Sequence, residues 1–206
     1  MEEELVIVAI VRNGNKRMKK IAVTGSIGSG KSYIIRCIKA YGVFVLDLDE
    51  VAKIVRKEQE SVLIDHFHVS DKKGLAQLVF SDAKKREQLE NMLYPMMIEK
   101  MKRFFQLHES EKLVVCEVPL LFEKGWECYF DEVWCVYCDQ NTCFQRLIQN
   151  RNMKTEEIKA RLSMQMSAEE KRDRSDKIIY NNEDDNVEEQ IKKILAEEEF
   201  DDQKRK

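Results

Sequence analysis

Residues 21 to 41 constrain this chain more than any other stretch. A β-prone run, Ile21-Ala22-Val23-Thr24, leads into Gly25-Ser26-Ile27-Gly28-Ser29-Gly30-Lys31-Ser32, a complete G-x-x-x-x-G-K-[ST] loop, and a helical pattern runs from Lys31 to about Tyr41. Strand, loop and helix in this order are the context in which such a loop works. Glycine lets the backbone curl until several N–H groups and the new helix N-terminus point at one anion. Gly28, Ser29 and Gly30 form that cradle, Lys31 reaches the β- and γ-phosphates, and the Ser32 hydroxyl ligates magnesium. Three of the seven glycines of the chain lie in these eight residues. A chance match in a chain of this length is on the order of one in a hundred, so the loop is read as binding a triphosphate rather than as a mere turn.

The 206 residues, 43% of them hydrophobic, are enough for one domain with a substantial core. Lys and Arg number 35 against 38 Asp and Glu, a net charge of -3, so whole-chain electrostatics favour neither nucleic acid nor an anionic membrane as partner. The longest apolar run, Leu5 to Val11, is far shorter than the ~20 residues of a membrane span. It follows Glu2-Glu3-Glu4, where an export signal needs positive charge, and a cytoplasmic protein is expected. Residues 1–17 read either as an edge strand turning at Asn13-Gly14 or as an extension ahead of Met18-Lys19-Lys20, and their role stays open. Oligomeric state is not legible.

Six cysteines without an export signal are expected to be reduced thiols. Cys135 and Cys138 spell C-x-x-C, but in an apparent strand residues three apart face opposite ways and stand about 10 Å apart, too far for a disulfide. His66 and His68 have no matching ligand pair and read as solvated polar residues.

Apolar β-prone runs recur at 21–24, 43–46, 113–116, 133–137 and 177–180, with helical patterns between them. That alternation predicts an α/β fold, a parallel sheet with helices on both faces. The stretch 50–110 is too long for a simple crossover and is expected to form a helical lobe. Its strongest helix, 82 to about 108, has Leu89, Met92, Leu93, Met97, Met101, Phe104 and Phe105 at helical spacing, with a kink or break at Pro95. A second helical segment, 141–176, carries Arg146, Arg151, Lys154, Arg161, Lys171, Arg172 and Arg174, with Thr155 as a candidate N-cap. Such a run is either a solvated face or the positive charge of a mobile lid. The tail from Glu197 is expected to fray.

Acidic residues bear on whether a phosphate is transferred or only held. Asp47 and Asp49 end the second β-run, on the same rim as the loop. On an extended segment they would project to one side, one near the metal and one accepting a proton; alternatively Asp49 only caps the next helix. Glu117 ends the third run, where a metal-side carboxylate often sits.

Glu117 leads into Val118-Pro119-Leu120-Leu121-Phe122-Glu123. With that segment, the chain from about Met18 through about Val187 resembles the dephospho-coenzyme A kinases. The matching motifs, in order, are the loop 24–32, Tyr41-Gly42, Asp47-Leu48-Asp49 with Ala52, Val79-Phe80-Ser81-Asp82, Leu89-Glu90, Pro95, the 118–123 segment, Gln145-Arg146-Leu147 with Arg151, Gln165, and Asp176-Lys177-Ile178-Ile179 with Asn181. The resemblance implies the P-loop kinase fold, a three-layer α/β sandwich with a helical acceptor-binding lobe over about 50–110 and a lid over about 140–175, in one kinase domain of residues 18–206. It implies ATP and Mg2+ as cofactors and transfer of the γ-phosphate to the ribose 3′-hydroxyl of dephospho-coenzyme A. By matching position, Asp49 resembles the general base, and Arg146 and Arg151 resemble lid residues that neutralise transferred charge. Nucleotide contacts are implied for Gly28, Ser29, Gly30, Lys31, Ser32, Tyr33 and Arg151, with the 176–181 region, Asn181 included, near the adenine. Metal contacts are implied for Ser32, Asp47 and Glu117.

The chain departs from the family pattern in several places. Ser26 stands for a second glycine, Tyr33 for threonine, Tyr94-Pro95 for His-Pro and Asp71-Lys72 for Asp-Arg, and the loop at 66–70 is short. Lysine loses the bidentate fork of arginine, so acceptor binding is where this chain is expected to differ. The rival readings are a kinase of another small molecule and a retired nucleotide binder.

Overall fold

A computed structural model describes residues 17 to 204, so the candidate strand at 5–11 and the Asn13-Gly14 turn lie outside the described residues. Five strands, β1 (Lys19–Thr24), β2 (Val45–Asp47), β3 (Leu113–Glu117), β4 (Glu132–Tyr137) and β5 (Lys177–Tyr180), form one sheet in the order β2-β3-β1-β4-β5. All four pairings are parallel. The helices are α1 (Lys31–Ala40), α2 (Leu48–Glu58), α3 (Glu60–His66), α4 (Lys72–Ser81), α5 (Ala83–Leu107), α6 (Gln140–Arg151), α7 (Thr155–Ser163), α8 (Ala168–Asp173) and α9 (Val187–Lys204).

The pleat divides the strand residues between two apolar layers. Ile21, Val23, Val115, Trp134, Val136 and Ile179 face α1 and α9, meeting Ile34, Ile35, Ile38, Val187, Ile191 and Ile194. Ala22, Val114, Cys116 and Val133 face the other way, toward α2–α5. Parallel strands covered on both faces read as unbroken apolar runs, which is why they were recognisable. On the lobe side, α5 presents Leu89, Leu93, Met97, Met101 and Phe105 at helical spacing, all buried.

Four local expectations need correction. Of the kink or break expected at Pro95, the break does not occur, and α5 runs through the proline; the ring forfeits one hydrogen bond, and the buried apolar face on either side holds the helix together. The segment 141–176 is three helices. α6 stops at Asn152, whose left-handed φ of 50° lets its N–H return to Ile148 O at 3.1 Å and that of Met153 to Leu147 O at 3.2 Å. Thr155 is not an N-cap, for Lys154 precedes α7 with no side-chain cap; the capping box lies further on, between Ser167 and Glu170 at the start of α8. Finally, the tail does not fray at Glu197: α9 continues to Lys204, and Glu198 is buried, paired with Lys19 of β1 at 2.6 Å and with Lys177 of β5. A charged helix end is held where one of its carboxylates is buried against two lysines of the sheet.

Candidate active site

In a parallel sheet the carboxyl ends of the strands share one rim, and here that rim carries the acidic positions. Asp47 and Glu117 are register partners across β2 and β3, and Glu117 is the partner of Val23 in β1. The phosphate loop leaves β1 just beyond. Its backbone is held in a shape only glycine accepts: Gly30 has φ 90°, and a Cβ there would lie 2.1 Å from the Asn181 amide nitrogen. Asn181 is buried and donates to Ser29 O at 2.7 Å, while Arg146 Nη1 of α6 donates to Asn181 O at 2.7 Å. The structure therefore places Asn181 as a brace under the loop. Asp176, just ahead of β5, accepts the Val133 N–H near the amino end of β4, so the 176–181 region runs from one end of the strands to the other and only its last residue meets the loop.

Lys31 opens α1 and folds its ammonium back into the loop, donating to Gly25 O at 2.7 Å and Ser26 O at 3.0 Å. Burial pushes this ammonium down to about 8; Glu117 and Asp49 oppose the shift and Lys171 adds to it. Asp49 and Glu117 are both held above the usual carboxylate range, chiefly by burial, with Asp47 pushing both the same way and Lys31 opposing. Lys31, Asp49, Glu117 and Asp47 thus act on one another across one rim.

The two aspartates do not sit on one extended segment. Asp47 ends β2 and is the N-cap of α2, its Oδ1 accepting the N–H groups of Asp49 and Glu50. Asp49 lies in the first turn of α2, so the capping alternative belongs to Asp47 and not to Asp49.

Other sequence-predicted residues are placed less centrally. Ser32 and Tyr33 are exposed on the first turn of α1, and the Tyr33 ring lies along the helix toward Arg36, 6.0 Å away. Arg151, at the end of α6, is exposed and has no hydrogen bond or ion pair among the described residues. Arg161 and Arg172 pair locally with Glu157 and Asp173, and Arg174 reaches Glu127 in the segment after β3. Lys171, expected with the other cations of this run on a solvated face or as lid charge, is instead fully buried and bonded to Pro119 O at 2.7 Å and Glu123 at 2.9 Å.

No group of three or more His, Cys, Asp or Glu among the described residues could hold a metal by itself. The donor set nevertheless suits a hard cation, because burial raises the pKa of the Glu117 carboxylate, a shift that a positive charge would relieve, and Ser32 adds an exposed hydroxyl. A cavity of about 880 Å³ opens elsewhere, at the amino ends of the strands beside Lys19, Glu132 and Glu198, and shares no residue with the phosphate loop.

Comparison with known proteins fixes the family. The family model described as dephospho-CoA kinase matches residues 19–189. The chain belongs to the dephospho-CoA kinase family. A dephospho-CoA kinase of Symbiobacterium thermophilum is 35% identical over 178 residues, 80% of this chain and 74% of that protein. Among solved structures, a Thermus thermophilus protein superposes with a TM-score of 0.80 at 34% identity, covering 88% of this chain and 98% of that one. The dephospho-CoA kinase of Campylobacter jejuni gives a TM-score of 0.68 at 26% identity, covering 86% and 96%.

Seen as a dephospho-CoA kinase, the chain absorbs its departures locally. Tyr94 packs edge-on against Trp126 with ring centres 5.1 Å apart, under the Lys124–Glu90 ion pair, and Asp71 caps α4 by accepting the Gly74 N–H. Lys72 follows as the first residue of that helix.

Proposed function

We propose that the chain transfers the γ-phosphoryl group of ATP to the ribose 3′-hydroxyl of dephospho-coenzyme A, giving coenzyme A and ADP, the last step of coenzyme A synthesis. The observation that carries this reading is the rim itself: a phosphate loop with its lysine folded inward, facing a carboxylate, Asp49, that no helix cap occupies. Asp49 takes the 3′-hydroxyl proton as the oxygen bonds to the γ-phosphorus, and the bond from that phosphorus to the β-phosphate oxygen breaks. Lys31, anchored by two of its three N–H donors at Gly25 O and Ser26 O, points the third at the phosphates, and Arg146, next to the loop, balances charge on the transferred group. The Ser32 hydroxyl, with Glu117 or Asp47, would hold magnesium, which would neutralise charge on the triphosphate. We assign the lobe α2–α5 to the acceptor and the segment 140–175 to the lid that excludes water.

Six free thiols and no helix long and apolar enough to cross a membrane among the described residues support a cytoplasmic place of action. A net charge of -3 supports a small-molecule partner over nucleic acid.

The test is ADP release from Mg-ATP with and without dephospho-coenzyme A, beside adenosine, AMP, UMP and pantetheine, with the product mass measured. Release that depends on dephospho-coenzyme A, with coenzyme A as product, is expected. Release with another acceptor alone would overturn the assigned substrate, and ATP binding without any transfer would overturn the reaction.

A further inference from the structure

One chain of contacts joins the phosphate loop to the segment between α7 and α8, and the roles assigned above leave it unused. Gln165 Oε1 accepts the Ile27 N–H at 3.1 Å. That N–H belongs to the same rigid peptide plane as the Ser26 carbonyl, which receives Lys31 Nζ at 3.0 Å. Gripping one edge of the plane fixes the other, so Gln165 sets the acceptor that holds the loop lysine. Gln165 is itself positioned from behind. Its neighbour Met166 donates its N–H to Glu123 Oε1 at 2.9 Å, and Lys171 reaches that same oxygen at 2.9 Å. Lys171 also bonds Pro119 O, which accepts Thr24 Oγ1 at 3.4 Å, one residue before the loop.

Burial makes this arrangement more than a surface tie. Lys171 is fully buried, and Glu123 Oε2 is buried with no hydrogen-bond partner among the described residues. A buried ion pair stabilises a fold poorly, and apolar residues of the same volume often serve as well. What the pair does supply is position, because Glu123 holds both ends of the 166–171 stretch with one oxygen.

We propose that Glu123 and Lys171 are positioning residues for phosphoryl transfer, acting through Gln165 on the peptide plane between Ser26 and Ile27 and so on Lys31. The inference rests on the kinase reading above and adds three residues to it.

The test uses the full chain and measures melting temperature, Mg-ATP binding by calorimetry, and kcat and KM for ATP with dephospho-coenzyme A. Gln165→Ala should leave the melting temperature unchanged, weaken Mg-ATP binding several-fold and lower kcat/KM about tenfold. The neutral pair Glu123→Leu with Lys171→Met, which removes the oxygen shared by Met166 and Lys171, should give a similar loss. Combining all three changes should cost little more, because residues acting through one contact are not additive. Wild-type binding and kcat/KM in Gln165→Ala would overturn the proposal, as would multiplying effects of Gln165 and the pair, or a loss in the neutral pair that only follows its melting temperature. Should the neutral pair fail to fold, Gln165→Ala decides alone. If the unaltered protein binds Mg-ATP but does not phosphorylate dephospho-coenzyme A, the substrate assignment fails, while the binding measurements still decide the positioning role.

Discussion

Asp47 Oδ1 accepts the backbone N–H of Asp49 at 2.8 Å, so one aspartate holds the end of α2 and the other is left with an uncommitted carboxylate. Asp49→Asn should therefore lower turnover by ~10²-fold or more with little change in ATP affinity, the scale of lost general-base catalysis. Burial, then Asp47, raise the Asp49 pKa, so its carboxylate takes up a proton at higher pH than an ordinary aspartate. A base must be deprotonated, and activity should fall on the acid side starting above the usual carboxylate range. Near-normal turnover in the variant would remove Asp49 from the reaction.

Asp47 can be separated from its cap. Asparagine caps a helix about as well as aspartate, whereas alanine costs ~1 kcal/mol. Asp47→Asn should keep the wild-type melting temperature yet need several-fold more Mg2+ for half-maximal activity. An unchanged magnesium requirement would leave Asp47 with a capping role alone.

Lys31 should register its ligand as a proton. Its ammonium sits at about 8 in the ATP-free loop because it is buried, and triphosphate oxygens would raise it again. Between pH 8 and about 10, ATP binding should take up a proton, seen as a buffer-dependent heat in calorimetry and absent in Lys31→Met. The stability of the ATP-free protein has a matching sign. With the folded pKa below the unfolded value of 10.5, the unfolded chain binds more protons in that window, so this lysine makes stability rise with pH.

Glu198 should matter more than its place in a charged tail suggests. Burial alone would raise its pKa, but hydrogen bonds from Lys177 and Lys19 hold it below the ordinary value. Its contribution is present above the unfolded carboxylate pKa and is lost as pH falls through the lower folded one. Glu198→Ala should cost about 2 kcal/mol at neutral pH, less than a fully buried pair because Lys19 and Lys177 remain partly exposed. A melting temperature within a degree of wild type would refute this.

The sheet was legible because strands covered on both faces read as apolar runs, as Val114-Val115-Cys116 of β3 and Val133 to Val136 of β4 do, all buried. The loop was legible because Gly30 has no substitute beside Asn181. Asp47 and Asp49 were harder, since no spacing rule says on which residue a strand gives way to a helix, and that boundary decides which of them caps. Lys171 and Glu198 were invisible for another reason. Each lies in a run of charges, Glu169-Glu170-Lys171-Arg172 and Glu197-Glu198-Glu199, and which charge is buried depends on partners more than twenty residues away or on another element.

The strand order β2-β3-β1-β4-β5 also sets a schedule for biosynthesis. β1 is made early but lies between β3 and β4, which begin at Leu113 and Glu132. At 5 to 20 residues per second, roughly 5 to 20 seconds pass before its first neighbour exists. For that time Ile21, Ala22 and Val23 are exposed on a nascent chain whose phosphate loop has no Asn181 beneath it. Stalled or prematurely ended translation products should therefore be clients of chaperones rather than partial enzymes.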